Sequence, residues 1–142
     1  MNKVIDASVL IKFYLPEVLC DRAEDLFGRA EKGEISLIAP DLIYPETGNI
    51  LWKKHRLKEL TAPEVNEIIE SIESIPIRIE PSKPLLKLAV DLAVVYNITV
   101  YDALYLAIAQ IYESIVITAD KKLTNVLRNT SLEGNVAWLG DM

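Results

Sequence analysis

The chain of 142 residues contains little cysteine and histidine, which are the side chains of most zinc sites and thiol nucleophile sites. Cys20 is its only cysteine, so no internal disulfide can form, and no neighbouring histidines or cysteines suggest a zinc site or a thiol nucleophile. We expect Cys20 to be structural. His55 is the only histidine and lies in a charged stretch that is typical of a solvated helix. Any acid-base chemistry must therefore come from carboxylates.

Long apolar runs are also missing. The apolar stretch at residues 85–96 is interrupted by Lys87 and Asp91 before it reaches the roughly 18 residues that a membrane-spanning helix needs. The N-terminus enters its first apolar run within a few residues, without the charged segment, longer apolar core and cleavage site of a signal peptide. Both absences lead us to expect a cytoplasmic protein without a membrane segment.

The chain has fewer basic than acidic residues, with 15 Lys and Arg residues and 21 Asp and Glu residues. The net charge of −6 and the pI of about 4.8 count against a generic nucleic-acid binder, since a phosphate backbone is attracted by summed positive charge. Hydrophobic residues make up 51% of the chain, which is enough for a substantial core. We expect a single domain over residues 1–142, with no appended module.

Short β-branched runs alternate with longer helical patterns along the chain. Strands are predicted at residues 4–5, 35–39, 77–80, 115–118 and 136–139. Helices are predicted at residues 8–15, 17–32, 41–58 with the regular part after Tyr44, 61–75, 84–96, 101–113 and 121–128. Gly33 and Asn97 suit left-handed positions at helix ends, and Thr61 with Glu64 matches a capping box. This alternation predicts a parallel sheet covered by helices on both faces.

Four of the acidic residues lie next to buried elements. Asp6 directly follows the first strand and Asp120 follows the fourth by one small residue, so both lie at carboxyl ends of strands, where ligands bind in this class of fold. Glu46 lies near the start of the helix after the second strand, and Asp102 lies in the first turn of an apolar helix. Acids also favour helix N-termini, so Asp6, Asp102 and Asp120 could each be only a cap.

Together the four carboxylates predict a metal site. Four like charges gathered at one edge would repel one another unless cations compensate them. Hard oxygen donors without His or Cys favour Mg²⁺ or Mn²⁺ over zinc, and one or two such ions can activate water and neutralise charge on a phosphodiester. The four acids account for four of the six net negative charges. The acidic pI is therefore compatible with a nucleic-acid substrate.

Two basic clusters lie near these acids in sequence. Lys121 and Lys122 directly follow Asp120 and are the better candidates for phosphate contacts. Lys53 and Lys54 lie about two turns beyond Glu46. They could contact phosphate, but it is at least as good an interpretation that they are the cations of a solvated helix C-terminus.

Four segments, in this order, resemble the PIN-domain family. They are VIDAS at residues 4–8, PETGNIL at 45–51, YDALY at 101–105 and ITADKKL at 117–123. The resemblance implies a three-layer α/β/α fold with a five-stranded parallel sheet, and a Mg²⁺ or Mn²⁺ site formed by the four acids Asp6, Glu46, Asp102 and Asp120. It also implies that Ser8 and Thr118 support the acids with their hydroxyls, although Thr118 could equally be an ordinary strand residue.

The resemblance extends to function. PIN-domain chains of this length are commonly VapC-like toxins, which are endoribonucleases that hydrolyse RNA phosphodiester bonds. Such a toxin belongs to a type II toxin-antitoxin pair, in which an antitoxin protein blocks the site, and it is often a homodimer. The helices at residues 85–96 and 101–112 are apolar beyond a single stripe, which also favours a homodimer, although both could simply be inner helices.

Two other functions fit parts of the pattern. An Asp after a first strand could be the nucleophile of a haloacid-dehalogenase-type phosphatase, but that mechanism needs a second Asp two positions on, where Ser8 stands. A non-catalytic regulatory or partner-binding module could keep the acids for a structural ion. The P-loop and Gly-rich dinucleotide patterns are absent, so nucleotide-dependent chemistry has no support.

Overall fold

The strands of the computed structural model, which describes all residues from Met1 to Met142, form one parallel sheet. The strands are β1 (Asn2–Ile5), β2 (Ser36–Pro40), β3 (Ile77–Glu80), β4 (Val116–Thr118) and β5 (Val136–Trp138). They lie in the order β3-β2-β1-β4-β5, with all four neighbouring pairs parallel. The direction of winding changes between β1 and β4, and the carboxyl ends of two such strands form a crevice in which ligands bind in open α/β sheets.

Seven α-helices cover the two faces of the sheet. The helices are α1 (Ala7–Lys12), α2 (Cys20–Glu31), α3 (Ile43–Arg56), α4 (Ala62–Ile72), α5 (Leu86–Tyr96), α6 (Val100–Ile111) and α7 (Lys121–Leu127). Three 3₁₀ turns, Lys83–Leu85, Glu133–Asn135 and Leu139–Asp141, complete the regular structure.

The two faces of the sheet carry separate hydrophobic clusters. Ile5 and Ile117 point into a cluster with helices α1 to α4, whereas Val4 and Val116 pack with α5, α6 and α7. Successive strand residues point to opposite faces, so each central strand contributes to both clusters. The predicted three-layer α/β/α fold with a five-stranded parallel sheet is therefore confirmed.

Most predicted boundaries lie within a few residues of the observed ones. Gly33 and Asn97 adopt positive φ values of 76° and 53°, and Thr61 forms the predicted capping box with Glu64. The helix predicted from residue 17 instead begins at Cys20, because the chain first passes through Leu19, whose φ of 76° is left-handed. The helix predicted from residue 84 begins with a 3₁₀ turn and becomes α-helical at Leu86.

Helices α5 and α6 differ in how much apolar surface they bury. Every residue of α6 from Ala103 to Ala109 is buried, so this helix is an inner one. Helix α5 buries Ala89 and Leu92 but leaves four large apolar side chains exposed, namely those of Leu86, Val90, Val94 and Val95. No single helix is long and apolar enough to cross a membrane; the segments Lys83–Tyr96 and Val100–Ile111 would suffice only together, and they meet at 113°.

Candidate active site

Asp6 begins the site at the end of β1. Its backbone is still extended, with φ −101° and ψ 176°, and its side chain caps α1 by accepting a hydrogen bond from the Val9 backbone N–H at 3.2 Å. The same oxygen, Oδ1, accepts a 2.5 Å hydrogen bond from the Ser8 hydroxyl. Asp6 is thus a helix cap, as one interpretation of the sequence held, and it is also a half-buried carboxylate held from two sides.

The end of β4 is tied to the Asp6 loop by hydroxyl groups. The Ala119 backbone N–H donates to Ser8 Oγ at 2.9 Å, and Ser8 Oγ lies 3.3 Å from Thr118 Oγ1. Thr118 is 1% exposed, and its hydroxyl also accepts from the Asp120 backbone N–H at 3.1 Å. The structure therefore places Ser8 and Thr118 between the loops that carry Asp6 and Asp120.

The other acids enter from three different helices. Asp120 caps α7 by accepting from the Lys122 backbone N–H at 3.0 Å. At α6 the cap is Thr99, which accepts from the Asp102 backbone N–H at 3.1 Å, so Asp102 lies in the first turn without being the cap. Glu46 lies in the first turn of α3, and its Oε1 accepts a 2.5 Å hydrogen bond from the Tyr105 hydroxyl.

The pKa values show that the four carboxylates act on one another in series. Burial raises the pKa of Asp6 to about 6 against the hydrogen bonds from Ser8 and Val9, and the charge of Glu46 adds to this rise. Burial also raises the pKa of Glu46, with a further contribution from the charge of Asp102. The pKa of Asp102 is raised by burial first and by the charge of Asp120 as well. The four carboxylates are therefore electrostatically coupled in the order Asp6, Glu46, Asp102 and Asp120, and we call them the acidic row.

No lysine or arginine side chain forms an ion pair with any of these carboxylates. All six ion pairs of the chain lie elsewhere, and among the three acids with a raised pKa the only cation that contributes is Lys122, which lowers the pKa of Asp102. As the side chains lie, no three of the chain's His, Cys, Asp and Glu residues are grouped closely enough to hold one metal ion. The donor set of carboxylate oxygens without ion-pair partners fits a hard divalent cation such as Mg²⁺ chemically.

The basic residues named from the sequence divide into two groups. The Lys121 ammonium lies 4.0 Å from the centre of the Trp138 ring, and Lys122 lies within electrostatic reach of Asp102. Lys54 is engaged in ion pairs with Glu17 at 3.0 Å and Glu59 at 3.3 Å. Lys53 is exposed on the same helix end. The structure therefore places Lys122 near Asp102 and Lys121 beside Trp138, and it leaves Lys54 in two ion pairs away from the four acids.

Sequence reasoning missed two residues of this region, Tyr105 and Trp138. Tyr105 lies three positions after Asp102, which places both on one face of a helix, so the spacing could have indicated it. Burial and the charges of Glu46 and Asp6 raise its pKa, and its phenol therefore stays protonated. The Trp138 Nε1–H donates to the Ala119 carbonyl at 3.4 Å. Only the pairing of β5 with β4 brings that tryptophan to the site, and no local pattern shows it.

Comparisons with known proteins agree on one family. The sequence model described as the PIN domain matches residues 3–128. Ribonuclease VapC3 of Pyrobaculum aerophilum is 31% identical over 125 residues, which cover 87% of this chain and 92% of that relative.

Solved structures share the fold. VapBC2 of Rickettsia felis, bound to a DNA fragment from its promoter, has a TM-score of 0.69 at 11% identity and covers 97% of this chain and 98% of its own. VapC20 of Mycobacterium tuberculosis, a toxin that cleaves the sarcin-ricin loop, has a TM-score of 0.65 at 14% identity, with 87% and 93% covered.

The row of like charges predicts a particular pH dependence of stability in a metal chelator. Folded Asp6, with a pKa of about 6, holds its proton more tightly than the unfolded chain, for which the value is 3.8. The contribution of Asp6 to the free energy of unfolding should therefore be highest below pH 4 and should fall as the pH rises through about 6. Asp102→Asn should equal or exceed the wild type in stability at pH 7, by up to about 1 kcal/mol, because it removes one charge of the row.

Urea unfolding at several pH values, in chelator throughout, measures both effects. Asp25→Asn is the matched control, because Asp25 is exposed on α2 and should shift stability by less than about 0.5 kcal/mol. A strongly destabilised Asp102→Asn variant would contradict this prediction. It would show that the Asp102 carboxylate stabilises the N-terminus of α6 more than the neighbouring charges destabilise it.

Proposed function

The chain belongs to the PIN-domain family, and we propose that it is a Mg²⁺- or Mn²⁺-dependent endoribonuclease that acts as the toxin of a type II toxin-antitoxin pair. We assign Asp6, Glu46, Asp102 and Asp120 as both the metal ligands and the catalytic groups, within one nuclease domain spanning residues 1–142. We place its activity in the cytoplasm. The name of its relative from Pyrobaculum aerophilum, a ribonuclease, supports the reaction class.

The observation that carries the proposal is the acidic row of carboxylates, none of which forms an ion pair, beside the crevice between β1 and β4. Three of the four have a raised pKa, and the cause in each case includes a neighbouring carboxylate of the row. A purely structural cluster gains nothing from such repulsion, whereas a site that must bind a divalent cation needs that charge. Active sites commonly keep groups whose pKa is shifted by burial and by like charges.

Each residue of the site has a definable task. A divalent ion held by the four acids would polarise the phosphodiester and lower the pKa of a bound water. Ser8 and Thr118 keep the Asp6 and Asp120 loops in register through the hydrogen bonds between them. Lys121 and Lys122, at the start of α7, supply positive charge to the RNA backbone next to Asp120. Lys54, with its two ion pairs, is a weaker candidate than Lys53 for such a contact.

The two other functions stand differently. Membership of the PIN family decides against a haloacid-dehalogenase-type phosphatase, and Ser8, where that mechanism needs an acid, instead donates a hydrogen bond to Asp6. A non-catalytic binding module would keep the same fold and the same acids. The cleavage assay that follows separates it from the nuclease.

Cleavage of RNA should require Mg²⁺ or Mn²⁺ and the charge of Asp6. The Asp6→Asn variant keeps an oxygen that can cap α1 but lacks the charge, and we expect its cleavage rate to fall by roughly 100-fold or more. The measurement is fluorescence of a dual-labelled RNA, with metal and with chelator. Asp25→Asn should cleave like the wild type, because its side chain is exposed on α2 and contributes to the raised pKa of none of the acids. Activity that survives complete chelation would contradict the metal mechanism, and no cleavage of any RNA would favour the binding module.

Expression of the wild type should arrest cell growth, and an antitoxin should relieve the arrest. The R. felis relative was solved with its promoter DNA as a VapBC assembly, which supports a protein partner for this chain too. An antitoxin Arg would suit the uncompensated acids, because a guanidinium can bind a carboxylate with two hydrogen bonds. Growth curves of the wild type and Asp6→Asn under equal induction test the toxin role. Equal toxicity of both would remove it, even if the purified protein cleaves RNA.

We further propose a homodimer that buries the exposed face of α5. Leu86, Val90 and Val94 follow one another at intervals of four residues, so they form one apolar row along the helix. Val94 is 77% exposed, and such a row in contact with water is typical of an interface. Light scattering at micromolar concentration should give a dimer mass for the wild type and a monomer mass for Val94→Arg. Val18→Arg, at an equally exposed valine between α1 and α2, should stay dimeric; a monomeric wild type would refute the proposal.

A further inference from the structure

We infer that Tyr105 is a positioning residue that holds Glu46 in place for metal binding, an inference that rests on the proposed function. The Tyr105 hydroxyl donates to Glu46 Oε1 across 2.5 Å, from the buried middle of α6 to the first turn of α3. The tyrosine is 2% exposed, so its ring has no freedom to leave this contact without opening the core.

Glu46 depends on this contact more than Asp6 depends on any one of its own. Asp6 is a short side chain whose carboxylate accepts from both the Ser8 hydroxyl and the Val9 backbone N–H. Glu46 has one more rotatable bond, and the hydrogen bond from Tyr105 is the only one its side chain forms. Fixing such a long side chain costs conformational entropy, which the Tyr105 hydroxyl has to offset. Without that hydroxyl, the Glu46 carboxylate would have no partner in the chain.

The position of Tyr105 explains how one helix, α6, can position two of the four carboxylates. Asp102 lies at the N-terminal end of α6, and Tyr105 lies nearly one turn later on the same side. Helix α6 therefore places the Asp102 carboxylate directly and the Glu46 carboxylate through a hydrogen bond. Because Tyr105 occupies only Oε1, the other oxygen of Glu46 keeps its capacity to bind a cation. Such partners of metal ligands orient the ligand and affect metal affinity.

Two measurements on the full chain test this inference, both with the Tyr105→Phe variant, which keeps the ring and removes only the hydroxyl. The first is calorimetric titration with Mn²⁺, without RNA. We expect the dissociation constant to rise about 10-fold, as is usual when the hydrogen-bond partner of a metal ligand is lost. Tyr112→Phe is the matched control, because Tyr112 follows α6 directly and its hydroxyl also donates to a glutamate, Glu80. Its affinity for Mn²⁺ should change less than about 2-fold.

The second measurement separates an effect through Glu46 from a general loss of packing. In chelator, Tyr105→Phe should lower the Tm by roughly 3 to 6 °C, because the half-buried Glu46 carboxylate loses its only hydrogen bond. In the Glu46→Ala background the same substitution should lower the Tm by less than half of that amount, since no carboxylate is left to hold. Full additivity of the two substitutions would show that Tyr105 acts on stability independently of Glu46 and would overturn the inference.

The titration also distinguishes failure of this inference from failure of the proposed function. If the wild type binds Mn²⁺ and Tyr105→Phe binds it equally well, the positioning role is wrong and the metal site stands. If the wild type binds no Mn²⁺ at all, the proposed metal site is wrong and the positioning role is wrong with it.

Discussion

Four carboxylates, two after the ends of β1 and β4 and two in the first turns of α3 and α6, repel one another, and the rest of the fold has to keep them in place in spite of that repulsion. Burial raises the pKa of Asp6, Glu46 and Asp102, and the charge of a neighbour in the row adds to the rise in each case. No ion pair of the chain offsets this cost at the site. The two hydrophobic clusters that cover the sheet contribute stabilising free energy that offsets this repulsion.

Neutral hydroxyl groups keep the acids in position. Ser8 links the Asp6 loop to the end of β4, Thr118 links that strand end to Asp120, and Tyr105 links α6 to Glu46. Hydroxyl groups can hold a carboxylate without cancelling its charge, whereas a lysine or arginine in the same place would compete with a cation for it. The network thus fixes the positions of the charges and leaves the charges themselves available.

The positive charge of the site lies at its border. Lys121 rests on the Trp138 ring and Lys122 acts on Asp102 from the start of α7, so neither lysine pairs directly with an acid. The indole of Trp138 also donates to the Ala119 carbonyl, which connects β5 to the loop that carries Asp120. The last strand therefore contributes to the site although it carries none of the acids.

The sequence by itself was sufficient for the elements that local chemistry sets. Short β-branched runs and helical patterns predicted all five strands and all seven α-helices, and capping chemistry predicted the ends at Gly33, Thr61 and Asn97, because these signals act within a few residues. The α/β class followed from the alternation of the elements. The four acids could be named because each lies next to an apolar run, and the resemblance of four short segments grouped them.

Only the tertiary structure decided how those acids are arranged. The strand order puts β1 beside β4, and this neighbourhood, between residues more than 100 positions apart, brings the Ser8 hydroxyl to Thr118. The tertiary structure also determines that Asp6 and Asp120 are helix caps and that Asp102 is not. It buries α6 as an inner helix and leaves one apolar face of α5 in water. Contacts such as Tyr105 to Glu46 depend on how separate helices pack, and packing is determined by the whole core and not by any one segment.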